Sequence, residues 1–151
     1  MSTQTIANII GPTALPASPA CKVSGSTSNT TLSVPGGGVI KLPVVIYDRT
    51  GIYNVSTGVF TIPVTGVYRV GLSLVQTTNA STNYSLNVNG TVVCNLQQKA
   101  TGYGNDSSYC QTGTTDHLFT KGSAVTVVAN SAISLYVADA TTSQIYLTFL
   151  G

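Results

Sequence analysis

Between Val44 and Val75 apolar and polar positions alternate with a period of two. Phe60, Ile62 and Val64 alternate with Thr61 and Pro63, and after a Thr65-Gly66 turn Tyr68, Val70, Leu72 and Leu74 alternate with Arg69, Gly71 and Ser73. This is the pattern of strands with one buried face. Upstream, Val44–Tyr47 is a short β-branched run closed by Asp48-Arg49-Thr50-Gly51, and Ile52–Val55 is a second short strand closed by Ser56-Thr57-Gly58. Such clusters are turn chemistry. Nothing here recurs at helical spacing.

The rest of the chain reads the same way. Ala20–Ser24 is a first strand, Ser26–Ser33 is polar and strand-capable, and Pro35-Gly36-Gly37-Gly38 is a turn before Val39–Leu42. That glycine triplet is followed by strand residues, so it lacks the helix a phosphate cradle needs. Beyond the polar loop Gln76–Asn83, Tyr84, Leu86 and Val88 alternate up to Asn89-Gly90, and Thr91–Leu96 follows; Asn-Gly between such segments signals a hairpin. A loop spans Gln97–Ser107, and Ser108–Thr112 and Asp116–Phe119 are two further extended pieces. Val125 and Val127 share a face, as do Ile133, Leu135 and Val137, and after the loop Ala138–Ser143 the final strand Gln144–Leu150 closes the chain. That strand is apolar on both faces: Ile145, Leu147 and Phe149 on one, Tyr146 and Leu150 on the other. A sandwich strand needs only one apolar face, so a second predicts a covering surface. A neighbouring subunit would supply it; the alternative is a loop of the same chain over Tyr146.

The order and spacing of Tyr53-Asn54, Thr57-Gly58, Phe60, Pro63 and Gly66-Val67-Tyr68 resemble C1q-like globular domains, and the Asn89-Gly90 turn extends the resemblance. It covers most of residues 20–151. It implies an all-β jelly-roll β-sandwich of the C1q/tumour-necrosis-factor type, with Phe60 and Tyr68 in the core, Gly58 and Gly66 in tight turns and Pro63 at a strand edge. It also implies a homotrimer with the last strand near the three-fold axis, which agrees with the second apolar face formed by Tyr146 and Leu150. The turn at Lys121-Gly122-Ser123 departs from the family's usual Gly-Asp and removes one cation ligand.

Length and composition narrow the function. A chain of 151 residues buries one real core. Only 7% of residues are charged, there is no Glu and no Trp, and Thr, Ser, Asn and Gln must carry surface polarity. The net charge of +2 comes from scattered Lys and Arg, so no basic patch supports nucleic-acid binding. No apolar run approaches the length of a membrane span. Residues 1–19 form a separate extended arm punctuated by Pro12, Pro16 and Pro19, with an apolar patch at Ile6, Ile9 and Ile10. It is either a free tail or a tether that orders on a partner. MSTQTIANII has neither the positive region nor the hydrophobic core of a secretory signal; read as a native start, it suits a viral structural protein released by lysis. The Asn-x-Ser/Thr sequons at Asn29, Asn54, Asn79, Asn83, Asn89 and Asn105 follow from composition and are not read as glycosylated.

Chemistry-bearing residues are sparse. The acids are Asp48, Asp106, Asp116 and Asp139, and the one histidine is His117. Asp116 and His117 are adjacent in an extended strand, so their side chains face opposite ways and do not pair. No nucleophile elbow or metalloprotease motif occurs, and no catalytic residue is assigned. Some C1q-like domains bind calcium through loop carboxylates; Asp48 and Asp139 have the right loop positions, but a turn-stabilising Asp explains each more simply. No cofactor or metal is expected. Cys21, Cys94 and Cys110 cannot all pair within one chain: they are small buried hydrophobes, or Cys94 and Cys110 form a bridge.

These features lead to two expectations. The first is a non-enzymatic phage virion structural protein, a trimeric capsid decoration or cement protein or a head fibre, held to the major capsid protein or another virion protein by its arm. The second is a receptor- or glycan-binding tip domain of a tail fibre or bacterial surface filament, in which Tyr103, Asn105, Asp106 and Tyr109 would contact a host surface glycan. Either places it at the virion or filament surface, with no nucleic-acid or membrane partner.

Overall fold

The computed structural model describes residues 18–25, 31–77, 82–97, 109–138 and 141–151. The arm residues Ile6, Ile9 and Ile10, the loop residues Tyr103, Asn105 and Asp106, and Asp139 lie outside them. The alternating segments form strands, in chain order β1 (Ala20–Ser24), β2 (Thr31–Val34), β3 (Gly38–Val39), β4 (Val44–Asp48), β5 (Tyr53–Asn54), β6 (Val59–Thr61), β7 (Gly66–Gln76), β8 (Tyr84–Val88), β9 (Thr91–Gln97), β10 (Tyr109–Phe119), β11 (Ala124–Ala129), β12 (Ile133–Tyr136) and β13 (Gln144–Phe149). No helix occurs among the described residues.

The strands make two antiparallel sheets. One has the order β2-β12-β7-β13-β1-β4, with β10 also paired to β7; the other runs β5-β6-β11-β8-β9, with β3 paired to β11. The alternation in β7 sets the arrangement. Tyr68, Val70, Leu72, Leu74 and Gln76 point between the sheets and are at most 2% exposed. Opposite them, Phe60, Leu86, Val125 and Val127 come from the second sheet. Aromatic contacts fasten one end of the core, where the Tyr68 ring stands 5.0 Å from Phe149 and 5.8 Å from Phe119, and the Tyr68 hydroxyl donates to the Val64 carbonyl at 2.7 Å. Phe60 and Tyr68 thus take the core places that the family resemblance implies.

Asn89-Gly90 turns β8 into β9 with both residues at positive φ, 51° and 82°, the geometry a two-residue hairpin with this twist requires. Several expectations need correction. Ser108–Thr112 and Asp116–Phe119 are not separate pieces but one strand, β10, paired with β7 from Tyr109↔Gln76 to Phe119↔Gly66. Gly66 is not a tight turn: it opens β7, and a Cβ there would run into the Phe149 ring and, at 2.8 Å, the Gly151 carbonyl. Val44–Tyr47 forms an edge strand whose Val45, Ile46 and Tyr47 stay exposed. A register shift against β1 bulges β4 at Ile46, and two more interrupt the β8–β9 ladder. Such bulges make an open edge a poor template for another strand.

Candidate functional site: the open face of the seven-stranded sheet

The outward-pointing residues of β10, β7 and β13 fall into rows because register fixes which lie side by side. Leu118 pairs with Val67, and the amide of Leu150 donates to the Val67 carbonyl at 2.8 Å, so Leu118, Val67 and Leu150 line up across the sheet. All three are exposed, Leu118 at 66%. The next row is Asp116, Arg69 and Thr148. In it Arg69 grips Asp116 with two hydrogen bonds of 2.8 Å, from Nε to Oδ1 and from Nη2 to Oδ2. This holds the Asp116 carboxyl below, and the Arg69 guanidinium above, their ordinary ranges. The third row is Thr114, Gly71 and Tyr146, continued by Lys22 of β1.

Tyr146 rests on a strand of its own chain. Its ring lies across Gly71, where a Cβ would overlap the ring. The absent side chain lets a half-buried tyrosine lie flat, so the centre of the face is smooth. Leu150 projects just beyond the end of β13 and is 48% exposed. The two residues singled out in the last strand therefore do share a face, and nothing in the chain's pattern pointed to Val67 and Leu118 on it. Only the pairing of β7 with β10 makes those two neighbours.

The other candidates have structural roles where they are described. Asp48 closes the turn after β4: its Oδ1 accepts from the amides of Thr50 at 3.3 Å and Ile52 at 3.0 Å, and its Oδ2 from Tyr53 at 2.9 Å. Burial, followed by the nearby negative charge of Asp48, pushes the Cys21 thiol up to about 12. With its oxygens taken by amides, Asp48 reads as the turn-stabiliser. Among the described residues no group of three His, Cys, Asp or Glu could hold a metal. His117 faces the opposite way from Asp116, with its ring 4.9 Å from Phe119. Cys94 and Cys110 are both free thiols, so the bridge does not form. Tyr109 begins β10, at the Gln76 end of β7. A shallow groove lined by Leu32, Val34, Pro35, Val39 and Lys41 has a volume of about 170 Å³, below the range of typical small-molecule sites. No helix among the described residues is long and apolar enough to cross a membrane.

Comparison with solved structures finds the same fold. Eiger TNF of S. frugiperda superposes with a TM-score of 0.63 at 16% identity, covering 89% of this chain and 93% of that one. The globular domain of zebrafish complement 1qA protein gives 0.60 at 18% identity over 87% and 96%. Murine APRIL gives 0.64 at 9% identity over 87% and 98%. No curated protein sequence matches the chain. The C1q domain model matches residues 24–150, nearly the whole span described here. This chain belongs to the C1q domain family.

Proposed function

We propose that the chain is a non-enzymatic structural protein that assembles as a homotrimer through the open face of its seven-stranded sheet and serves on a phage virion as a capsid decoration protein or head fibre. The observation that carries the assembly is the exposed row Leu118–Val67–Leu150 on the same sheet face as the flat Tyr146. Isolated apolar side chains are ordinary on a surface, but a contiguous row on a sheet face marks an interaction site. A second and third copy are the fitting occupants. The Arg69–Asp116 pair neutralises itself, leaving Lys22 at the margin, so identical faces approach with little repulsion. The trimer implied by the family resemblance uses this same last strand.

The virion role is supported by the low charge and by the polarity of the domain. The arm enters beside Phe149, whose amide donates to the Pro19 carbonyl at 2.9 Å. Residues 98–108 are joined to Gln97 and Tyr109, at the far end of β7. An arm at the base would anchor the trimer on a capsid and leave the other end projecting. The test is molar mass by light scattering across dilution. The wild type is expected near three times 15.5 kDa and Leu118→Lys at the monomer mass with an unchanged circular dichroism spectrum, since exposed substitutions cost the fold within about 0.5 kcal/mol. A monomeric wild type would sink the trimer. Deletion of residues 1–19 is expected to abolish capsid binding while preserving the trimer; retained binding would end the anchoring role.

The same polarity favours one second reading, a tip domain that binds a host glycan through Tyr103, Asn105, Asp106 and Tyr109. Its check is a glycan array with the trimer and with Tyr103→Ala. Signal lost in the variant supports it, and an array without signal removes it.

A further inference from the structure

We infer that the Arg69–Asp116 pair is a self-neutralised part of the trimer contact: neighbouring copies shut it away from water, and the assembled face then tolerates both charges or neither, but not one. The inference rests on the trimer proposed above. Three observations lead to it. The pair is the one salt bridge found among the described residues, in a chain with only 7% charged residues. It stands inside the face, between the Leu118–Val67–Leu150 row and the Thr114–Gly71–Tyr146 row, where a charge would ordinarily be kept to the rim. And its geometry is two-pronged, with both contacts at 2.8 Å made inside one chain, so each charge brings its own partner to the contact.

In the single chain these side chains are 50% and 42% exposed. An exposed pair adds little to the stability of a fold, so the isolated domain has no strong need of it. Covered by other copies the balance changes. A desolvated pair roughly breaks even against apolar residues of similar size, whereas a lone desolvated charge is heavily penalised. A chain that has lost one member of the pair would bring a lone Arg69 or Asp116 against the leucines and Tyr146 of its neighbours. The pair thus lets the face be covered without stranding a charge, and the attraction of the contact comes from Leu118, Val67 and Leu150. The other charged group on this face, Lys22, sits one strand beyond Tyr146 on β1 and pairs across with Tyr47 of β4.

The experiment compares the wild type with Arg69→Leu, Asp116→Leu and the double variant Arg69→Leu/Asp116→Leu, all as full chains. Circular dichroism and amide exchange in β7 and β10 first verify the fold of each; sedimentation then gives the concentration at half-dissociation. Each single variant is expected to raise that concentration by about a hundredfold or more, and the double variant to return within about tenfold of the wild type. Singles that assemble like the wild type would overturn the inference while leaving the trimer intact. A double variant as impaired as the singles would overturn it too, because the charges would then be needed for themselves. A wild type that is monomeric at all concentrations would instead remove the trimer, and this role with it.

Discussion

Replacing Phe60 by alanine is expected to lower the unfolding free energy by about 3–5 kcal/mol, the usual range for a buried phenylalanine. For a domain of this size that corresponds to a fall of roughly 10 °C in the unfolding midpoint. Phe60 is 2% exposed, and its ring lies 4.6 Å from that of Tyr53. Tyr53 in turn exchanges two hydrogen bonds of 3.1 Å with Leu42: the Leu42 amide donates to the phenol oxygen, and the phenol donates to the Leu42 carbonyl. Those bonds hold the segment Ile40–Leu42, which lies outside any strand and buries Ile40 and Leu42. Truncating Phe60 removes the surface that positions Tyr53, so the loss spreads beyond the vacated volume. Collapse into the hole is restricted, because the neighbour of Phe60 on β11 is Val125, already fully buried. Urea unfolding at one fixed protein concentration checks this, since assembly would make stability concentration-dependent. A loss below about 1 kcal/mol would mean that the site relaxes around the gap and that the aromatic contact is incidental. Leu118→Ala, made at a position 66% exposed, is the comparison expected to leave the fold almost unaffected.

What could be read from the sequence divides along a physical line. Local periodicity revealed β7 and β8, because each alternates apolar and polar residues along the chain, β1 and β13 showed as short extended segments, and Asn89-Gly90 announced its hairpin through the positive φ that only such residues accept readily. Phe60 and Tyr68 were legible as core residues for the same reason. β10 was legible only in pieces: Thr112, Gly113, Thr114 and Thr115 carry no apolar alternation, and it is the full-length ladder with β7 that keeps them extended. Gly66 was misread because a glycine that accommodates a ring looks, in sequence, like a glycine that turns the chain. The face itself was half visible. Tyr146 and Leu150 showed in one strand as apolar residues on the wrong side, but Val67 lies in a strand whose apolar residues are otherwise buried, and Leu118 beside Phe119 looks like part of an ordinary apolar run. Arg69 and Asp116, 47 positions apart, could be joined only by register. Side-by-side relations between distant strands are a property of topology, and one strand's pattern does not encode its partner's.

Asp48→Ala is expected to cost about 2–4 kcal/mol, by leaving two part-buried backbone amides without an acceptor. The carboxylate stands at the end of β4, where the chain must reverse through Gly51 at φ 65° to reach β5. The amides of Ile52 and Tyr53 point inward toward it at 3.0 and 2.9 Å, and Ile52 itself is 3% exposed, so water does not readily replace the lost oxygens. Thr50, whose bond is longer and exposed, loses little. Asp48→Asn should fall between: one oxygen still accepts, but the amide nitrogen now confronts a second donor. The same pair of variants decides between the turn role and a cation site. If Asp48 is a turn-stabiliser, millimolar calcium leaves the wild-type unfolding midpoint where it is, and both variants are destabilised with or without the ion. If calcium instead raises the wild-type midpoint and the rise vanishes in Asp48→Asn, the carboxylate is a metal ligand, and the amide bonds serve to hold it in place for the ion.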